Sequence, residues 1–578
     1  MAGVLRSSLD FPPARVDVER RDAGVVVLRS AHQVDLPAER IGDWLETWAA
    51  KAPQRTFLAE RASVGQWRRL SYGDALRAAR RIGAGLVARG LDADKPIAIL
   101  AENSIDHALL GLGAAYVGFA VAPISPAYAL MSKDFGKLKH IFGVLEPELV
   151  WTSDVVKFRA ALDAVGCKAT PLRELEDPDE IRAQEAARHV RPEAMAKVLF
   201  TSGSTGTPKG AINTHRMITA NQRQSAAVWP FIASLPPVVV DWLPWNHTFG
   251  GNYNFYMVLS SGGTMYIDAG KPAPGLIETS VANLREVSPN MYFNVPRGFE
   301  LLLPYLEEDA ALRRSFFRDL RFVFYAGAAL PQNLWARFES LAMQECGGDL
   351  AMVSAWGATE TAPLVSAVHF PIERAGVIGL PVPGCDIKLV PSDGKLEARV
   401  RGPNVFPGYF RDDRLSRAAF DEEGFYRIGD ALRFADREAP ERGLVFDGRV
   451  AEDFKLSSGT WVHAGTLRTR LIAAADPVVQ DAVITGHDRG EVGALVFLSA
   501  AAKGLDVAQR LREALRSFAD ESSSSRITRL LVMSEPPSID ANEITDKGYV
   551  NQAAVRERRA ALVEALYASP PGMDVITF

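Results

Sequence analysis

LFTSGSTGTPKGAINTH, residues 199–215, is the stretch whose reading decides the fold of this chain. Its seventeen positions hold two serines, four threonines, three glycines and one lysine, directly behind the apolar run Val198-Leu199-Phe200. That mixture is unsuited to a packed core. Gly203, Gly206 and Gly210 let backbone N–H groups come close to an anion, and Lys209 supplies a mobile positive charge. The hydroxyls of Thr201, Ser202, Ser204, Thr205 and Thr207 add donors, so the loop is built for phosphate. A Walker P-loop needs G-x-x-x-x-G-K-[ST], but counting from Gly203 sets Pro208 at the second glycine, and Gly210 follows Lys209. The phosphate site therefore belongs to a different nucleotide fold.

Around this loop, short β-rich apolar runs alternate with helical patterns, at 97–100, 197–200, 238–242, 322–325 and 352–355. This is the rhythm of α/β layers with largely buried strands. After about residue 435 the texture becomes charged and turn-rich. A helix at 465–474, strands at 482–485 and 495–498, and a helix at 507–518 then describe a smaller α+β unit. The reading is a large domain over residues 1–448 and a small one over 449–578, without internal repeats. Residues 107–131 hold no acid, lysine or arginine, but Gly111, Gly113, Gly118, Pro123 and Pro126 interrupt them, which predicts a buried helix followed by a buried strand. Gly111 and Gly113 begin a dinucleotide fingerprint that Tyr116 ends.

The 578 residues are 47% hydrophobic and 23% charged, with a formal net charge of -5. A phosphate-tracking nucleic-acid surface needs a basic excess that is absent. Three scattered cysteines, Cys167, Cys346 and Cys385, give neither a disulfide framework nor a zinc site. The start MAGVLRSSLDFPPARV lacks the apolar block of a secretory signal, and a cytoplasmic location without membrane contact is expected.

The eleven positions TSGSTGTPKGA resemble the phosphate loop of the adenylate-forming enzymes, the superfamily of acyl-CoA synthetases, luciferases and peptide-synthetase adenylation domains. Further stretches follow in that family's order. YAGAALP at 325–331 resembles the adenine turn, which places Gly327, Ala328 and Ala329 against a flat base. AWGATE at 355–360 resembles the next motif, in Ala355, Trp356 and Gly357. The resemblance implies that Trp356 stacks on adenine where a tyrosine is more usual, that Thr359 meets the α-phosphate and that Glu360 binds magnesium. YRIGD at 426–430 resembles the ribose motif, with Asp430 accepting from the sugar hydroxyls and Arg449 as second contact. The implied cofactors and substrates are ATP, Mg2+ and coenzyme A.

Two departures stand out. The hinge position after Arg449 is Ala451, so the hinge lies somewhere in 451–453, and Gly459 stands one residue further on than the pattern has it. The adenylation lysine matches Lys547 within PPSIDANEITDKGYVN at 536–551, with Asp546 in place of the usual glycine; an exposed structural lysine is the alternative. In the family a carboxylate attacks the α-phosphate, then a mobile small domain rotates and a thiol attacks the activated carbonyl. Lys209 and Lys547 would neutralise charge in the first half. Gly459 would border the pantetheine channel, and Arg468, Arg470, Arg556, Arg558 and Arg559 are candidates for the coenzyme A phosphates.

DWLPWNHTFGGNYN at 241–254 corresponds to the acyl-pocket motif, with His247 bordering the substrate, and SPNMYFNVP at 288–296 supplies a second wall. Phe249 gives an aromatic border, Gly250 and Gly251 flat space, and Asn252, Asn254 and Asn294, beside Val295, groups that could satisfy ring oxygens. Together with GRVAEDFKLSSGTW at 448–461, the chain looks most like bacterial feruloyl-CoA synthetases, which implies a hydroxycinnamic acid as partner. A fatty or benzoic acid, transfer to a carrier protein, and a nucleotide-binding pseudoenzyme are the other readings, and a homodimer is left open.

Overall fold

The computed structural model describes residues 7–577 apart from 64, 202–206, 393, 546, 547 and 549. The phosphate-loop strand lies in a five-stranded sheet ordered Val150–Thr152, Ile97–Leu100, Val121–Pro123, Met195–Thr201 and Lys209–Thr214. The first four strands run parallel, and the loop turns the chain back so that Lys209–Thr214 pairs antiparallel with Met195–Thr201. The charge-free stretch forms the helix Ile105–Val117, the strand Val121–Pro123 and the short helix Pro126–Leu130. Ser104 caps the first helix by accepting from His107 N, and Gly118 ends it at φ 89°. No helix among the described residues is long and apolar enough to cross a membrane.

A four-stranded sheet of Val238–Asp241, Thr264–Ile267, Thr56–Ser63 and Gln66–Ser71 packs into the same large apolar core as the five-stranded sheet. The third sheet has eleven strands. At one end Met291–Asn294, Phe322–Tyr325 and Ala351–Gly357 run parallel; every later pairing, from Leu364–Ala367 to Val16–Arg20, is antiparallel. The parallel strands are buried on both sides, which explains their largely apolar sequence.

The sheet's strand Leu444–Arg449 leads into the small domain, whose own core begins at Phe454. There Val479–Thr485, Val492–Leu498, Ile527–Val532 and Val575–Thr577 form a mixed four-stranded sheet flanked by the helices Ala464–Ala474, Val507–Arg516, Gln552–Arg558 and Ala560–Leu566. The fold is thus a layered α/β body with a smaller C-terminal domain, as the sequence pattern predicts.

Candidate active site

Thr201 and Lys209 face each other across the base of the hairpin that carries the loop. Ser202, Gly203, Ser204, Thr205 and Gly206 lie outside the described residues. Thr207 is exposed, and the carbonyl of Pro208 accepts from His140 Nε2 at 3.0 Å. Beyond Lys209 the strand is held by the segment 408–410: Phe410 N donates to Gly210 O at 2.7 Å, and Ile212 N to Gly408 O at 3.2 Å. Between those bonds Tyr409 brings its ring under the Lys209 ammonium, 5.9 Å from Nζ to centroid. Its hydroxyl donates to Glu360 Oε1 at 3.1 Å. Glu360 and Thr359 sit buried in a single 3-10 turn directly after the strand Ala351–Gly357. The lysine expected at phosphate and the carboxylate expected at magnesium are therefore joined through one tyrosine.

The nucleotide motifs converge from adjacent strands. Gly327, Ala328 and Ala329 form an exposed turn after Phe322–Tyr325, with Gly327 at φ 86°, a conformation glycine adopts without strain. On the neighbouring strand Ala355 and Trp356 are buried and Gly357 is half-buried. The Trp356 indole donates from Nε1 to Asp430 Oδ2 at 2.8 Å. Asp430 stands opposite Arg449 in the strand register, with Arg449 Nε 3.6 Å from Oδ1. Burial pushes the Asp430 carboxyl above its ordinary range, while Arg449 and the Trp356 indole pull it back. Trp356 thus has a task its position in the motif does not reveal: it orients the carboxylate expected at ribose.

In the expected acyl region, His247 Nδ1 accepts from Phe249 N at 3.4 Å at the entrance to a π-helix, Phe249–Asn254. Gly250 and Gly251 serve close backbone approach: a Cβ there would lie 2.3 Å from Leu243 O and 2.2 Å from Trp245 O. On the side where a Cβ would stand, the chain itself fills the space. Phe249 meets Phe324 edge-on at 5.3 Å, which links this segment to the adenine-side strand. Asn294 is committed on both sides, donating to the Tyr292 hydroxyl at 2.8 Å and accepting from Trp242 Nε1 at 3.2 Å and Val295 N at 2.9 Å. Asn252 donates to Asn213 at 2.8 Å and Asn254 to Asp241 at 3.0 Å, while the buried Oδ1 of each has no hydrogen-bond donor among the described residues. Asp241 is itself pushed up to about 7 by burial.

Sequence reasoning missed Lys197. It is buried in the phosphate-loop strand, donates to Gly251 O at 2.7 Å and lies over the Tyr256 ring at 4.5 Å. Burial brings its ammonium down to about 7. It ties the loop strand to the π-helix, and a lone lysine inside the apolar run 196–200 was the available signal.

The small domain touches the large one close to this site. Lys133 N donates to Asp540 Oδ2 at 3.0 Å, and Lys137 Nζ, from the start of the helix Gly136–Leu145 that also carries His140, donates to Ile539 O at 2.7 Å. Ile544 pairs with Val550, on either side of the expected adenylation lysine in the sequence, and Glu543 beside them is held by Arg559 at 2.7 Å. Lys547 and Asp546 lie outside the described residues. In the expected hinge, Asp453 is buried against Lys395 of the large sheet and accepts from Ala464 N at 3.2 Å, with His463 Nδ1 at 2.9 Å. Gly459 occupies an exposed turn at φ 81° with open space around it. The five candidate arginines already have protein partners: Arg468 with Asp481, Arg470 with Glu521, Arg558 and Arg559 with Glu543, and Arg556 with Ile484 O.

A family model described as AMP-binding enzyme matches residues 45–410, and one described as AMP-binding enzyme C-terminal domain matches residues 453–570. Among curated relatives, the probable CoA ligase CCL8 of Humulus lupulus is 26% identical over 335 residues, 53% of this chain and 52% of that protein. The chain thus spans about half the length of that relative. The long-chain-fatty-acid–CoA ligase of Thermus thermophilus is 25% identical over 489 residues, 76% of this chain and 82% of that protein. The phenylacetyl-CoA ligase epaB of Aspergillus niger is 24% identical, covering 69% and 76%. Of solved structures, ATP-bound MatB from Rhodopseudomonas palustris superposes with TM-score 0.68 at 21% identity over 91% of this chain and all of that one. The O-succinylbenzoate coenzyme A synthetase of Bacillus subtilis with AMP gives 0.67 at 18% identity, over 89% and 98%.

Proposed function

This chain belongs to the AMP-binding enzyme family, and from that premise we propose that it joins an aromatic, ferulate-like carboxylic acid to coenzyme A through an acyl-adenylate. The observation that carries the chemistry is the chain of contacts from Lys209 through Tyr409 to Glu360. It gathers a cation for phosphate and a carboxylate for a metal at the edge of a phosphate loop, beside a Trp356–Asp430–Arg449 cluster suited to a ribose. Glu360 fits magnesium because a buried carboxylate, one oxygen of which accepts from the Tyr409 hydroxyl, is a hard, anionic ligand. Magnesium bound there supplies charge neutralisation on the triphosphate.

A carboxylate oxygen of the acid attacks the α-phosphorus and the bond to pyrophosphate breaks. Lys209, with Lys547 brought in by the small domain, offsets the repulsion between the two anions. Asp430 and Arg449 hold the ribose, and the Gly327-Ala328-Ala329 turn receives the base. The thiol of coenzyme A then attacks the acyl carbon, and AMP leaves with the former carboxylate oxygen. We place the domain divide at 448/449 and the pivot within 451–453, where the Asp453 contacts join both bodies.

The substrate preference rests on the undonated amide oxygens of Asn252 and Asn254. A phenolic hydroxyl is a donor matched to such acceptors, whereas an alkyl chain leaves them unpaired. The relative in Thermus thermophilus, matched over 82% of its length, favours a second reading, a long-chain fatty acid. Rates of pyrophosphate release with ferulate, coumarate, caffeate, 4-methoxycinnamate, cinnamate and palmitate separate the two. The hydroxylated acids should lead, with 4-methoxycinnamate and cinnamate well behind; palmitate turned over as well as ferulate overturns the aromatic reading.

A further inference from the structure

We propose that Tyr409 is a positioning residue that sets the metal-side carboxylate of Glu360 against the phosphate loop; this rests on the reading of Glu360 as the magnesium ligand. Three sets of contacts fix it. Its backbone is pinned to the strand that leaves the loop, by the Ala211 bridge and by the bonds Phe410 N to Gly210 O and Ile212 N to Gly408 O. Its ring meets Phe406 edge-on at 4.9 Å, and Phe406 N in turn donates to Glu360 O at 2.8 Å. Its own N–H donates to Ser416 Oγ at 2.8 Å. With backbone and ring held, the hydroxyl reaches Glu360 Oε1 at 3.1 Å from a fixed direction.

A hydrogen bond on Oε1 restrains the rotation of the carboxyl group and so the direction in which its second oxygen can meet a cation. The same residue offers its ring face to Lys209, so the site's cation and anion both rest on Tyr409. Without the hydroxyl, Glu360 is free to turn toward Lys209, and an ion pair between them would withdraw both from ATP and metal.

The test is Tyr409→Phe, which keeps the ring and the backbone pairing, with Glu360→Gln as comparison. ATP binding is measured by calorimetry without acid substrate, once with Mg2+ and once in EDTA, and Mn2+ binding to the ATP complex by electron paramagnetic resonance. Tyr409→Phe should weaken Mg2+·ATP binding on the order of tenfold, the usual worth of a hydrogen bond to a charged group, and weaken Mn2+ similarly. Metal-free ATP affinity should stay within about twofold, showing a folded loop. Metal dependence unchanged in Tyr409→Phe but lost in Glu360→Gln overturns the role of Tyr409 alone. Metal dependence unchanged in both variants overturns the assignment of Glu360 as well. An equal loss with metal and in EDTA also refutes the proposal, because Tyr409 would then support the loop rather than the carboxylate.

Discussion

Trp356→Phe removes one donor from Asp430 while leaving an aromatic ring on the strand. In the native protein Asp430 is buried, and burial raises its carboxyl above the ordinary range against the pull of Arg449 and of the indole 2.8 Å away. The indole N–H stabilises only the ionised carboxylate, and a hydrogen bond to a charged group contributes about 1.5–3 kcal/mol. Losing it shifts the carboxyl further up, and by the equivalence of 1.4 kcal/mol per pH unit the acid limb of nucleotide binding should move up by about one to two pH units. The sign follows from the direction: the ionised form, which accepts from the ribose hydroxyls, is lost as pH falls, and in the variant it is lost earlier. The assay is calorimetric titration with AMP from pH 5 to pH 8. An acid limb of AMP binding displaced to higher pH in the variant supports the reasoning. An acid limb at the wild-type position refutes it, and with it the view that Trp356 tunes Asp430.

Lys547→Ala should cut acid-dependent pyrophosphate release by about 10²–10³, the typical effect of losing one preorganised charge, while thioester formation from pre-made feruloyl-adenylate survives; near-normal pyrophosphate release would remove Lys547 from the mechanism. Ala451→Pro, placed in the 3-10 turn Val450–Glu452 where a fixed φ is compatible with helical backbone, should spare adenylation and slow thioester formation; equal loss in both half-reactions puts the pivot elsewhere. Lys197, brought down to about 7 by burial, keeps its proton in the unfolded chain up to its ordinary value of 10.5. Wild-type stability should therefore rise between about pH 7 and pH 9 relative to Lys197→Met, by at most about 1.4 kcal/mol per pH unit; parallel urea-unfolding curves for the two proteins contradict a neutralised lysine.

The strands flanking each motif were legible because a buried strand must be apolar along its whole length, and the phosphate hairpin because glycines and hydroxyls cannot fill a core. Tyr409 was not legible as a site residue. Its partners Lys209 and Glu360 are distant in sequence, and a tyrosine after Pro407-Gly408 reads as an ordinary turn. The packing role of Gly250 and Gly251 was hidden for a related reason: glycine is needed equally where a ligand comes close and where backbone carbonyls do, and here Leu243 O and Trp245 O are neighbours of their Cβ positions. Asn294 illustrates the same limit, because an amide's hydrogen-bonding capacity shows in sequence but its spending on Tyr292, Trp242 and Val295 does not. Nor does a residue-by-residue reading show that the small domain meets the start of the helix Gly136–Leu145 and the segment before it, since Ile539 and Asp540 do so through single polar contacts with Lys137 and Lys133.

The formation of an acyl-adenylate is tested most directly by the fate of a carboxylate oxygen. With ferulate labelled with ¹⁸O in both carboxylate positions, ATP, Mg2+ and coenzyme A, mass spectrometry of the nucleotide product should find one labelled oxygen in AMP, none in pyrophosphate, and no ADP. Unlabelled AMP, or label in inorganic phosphate accompanied by ADP, would contradict attack of the carboxylate on the α-phosphorus.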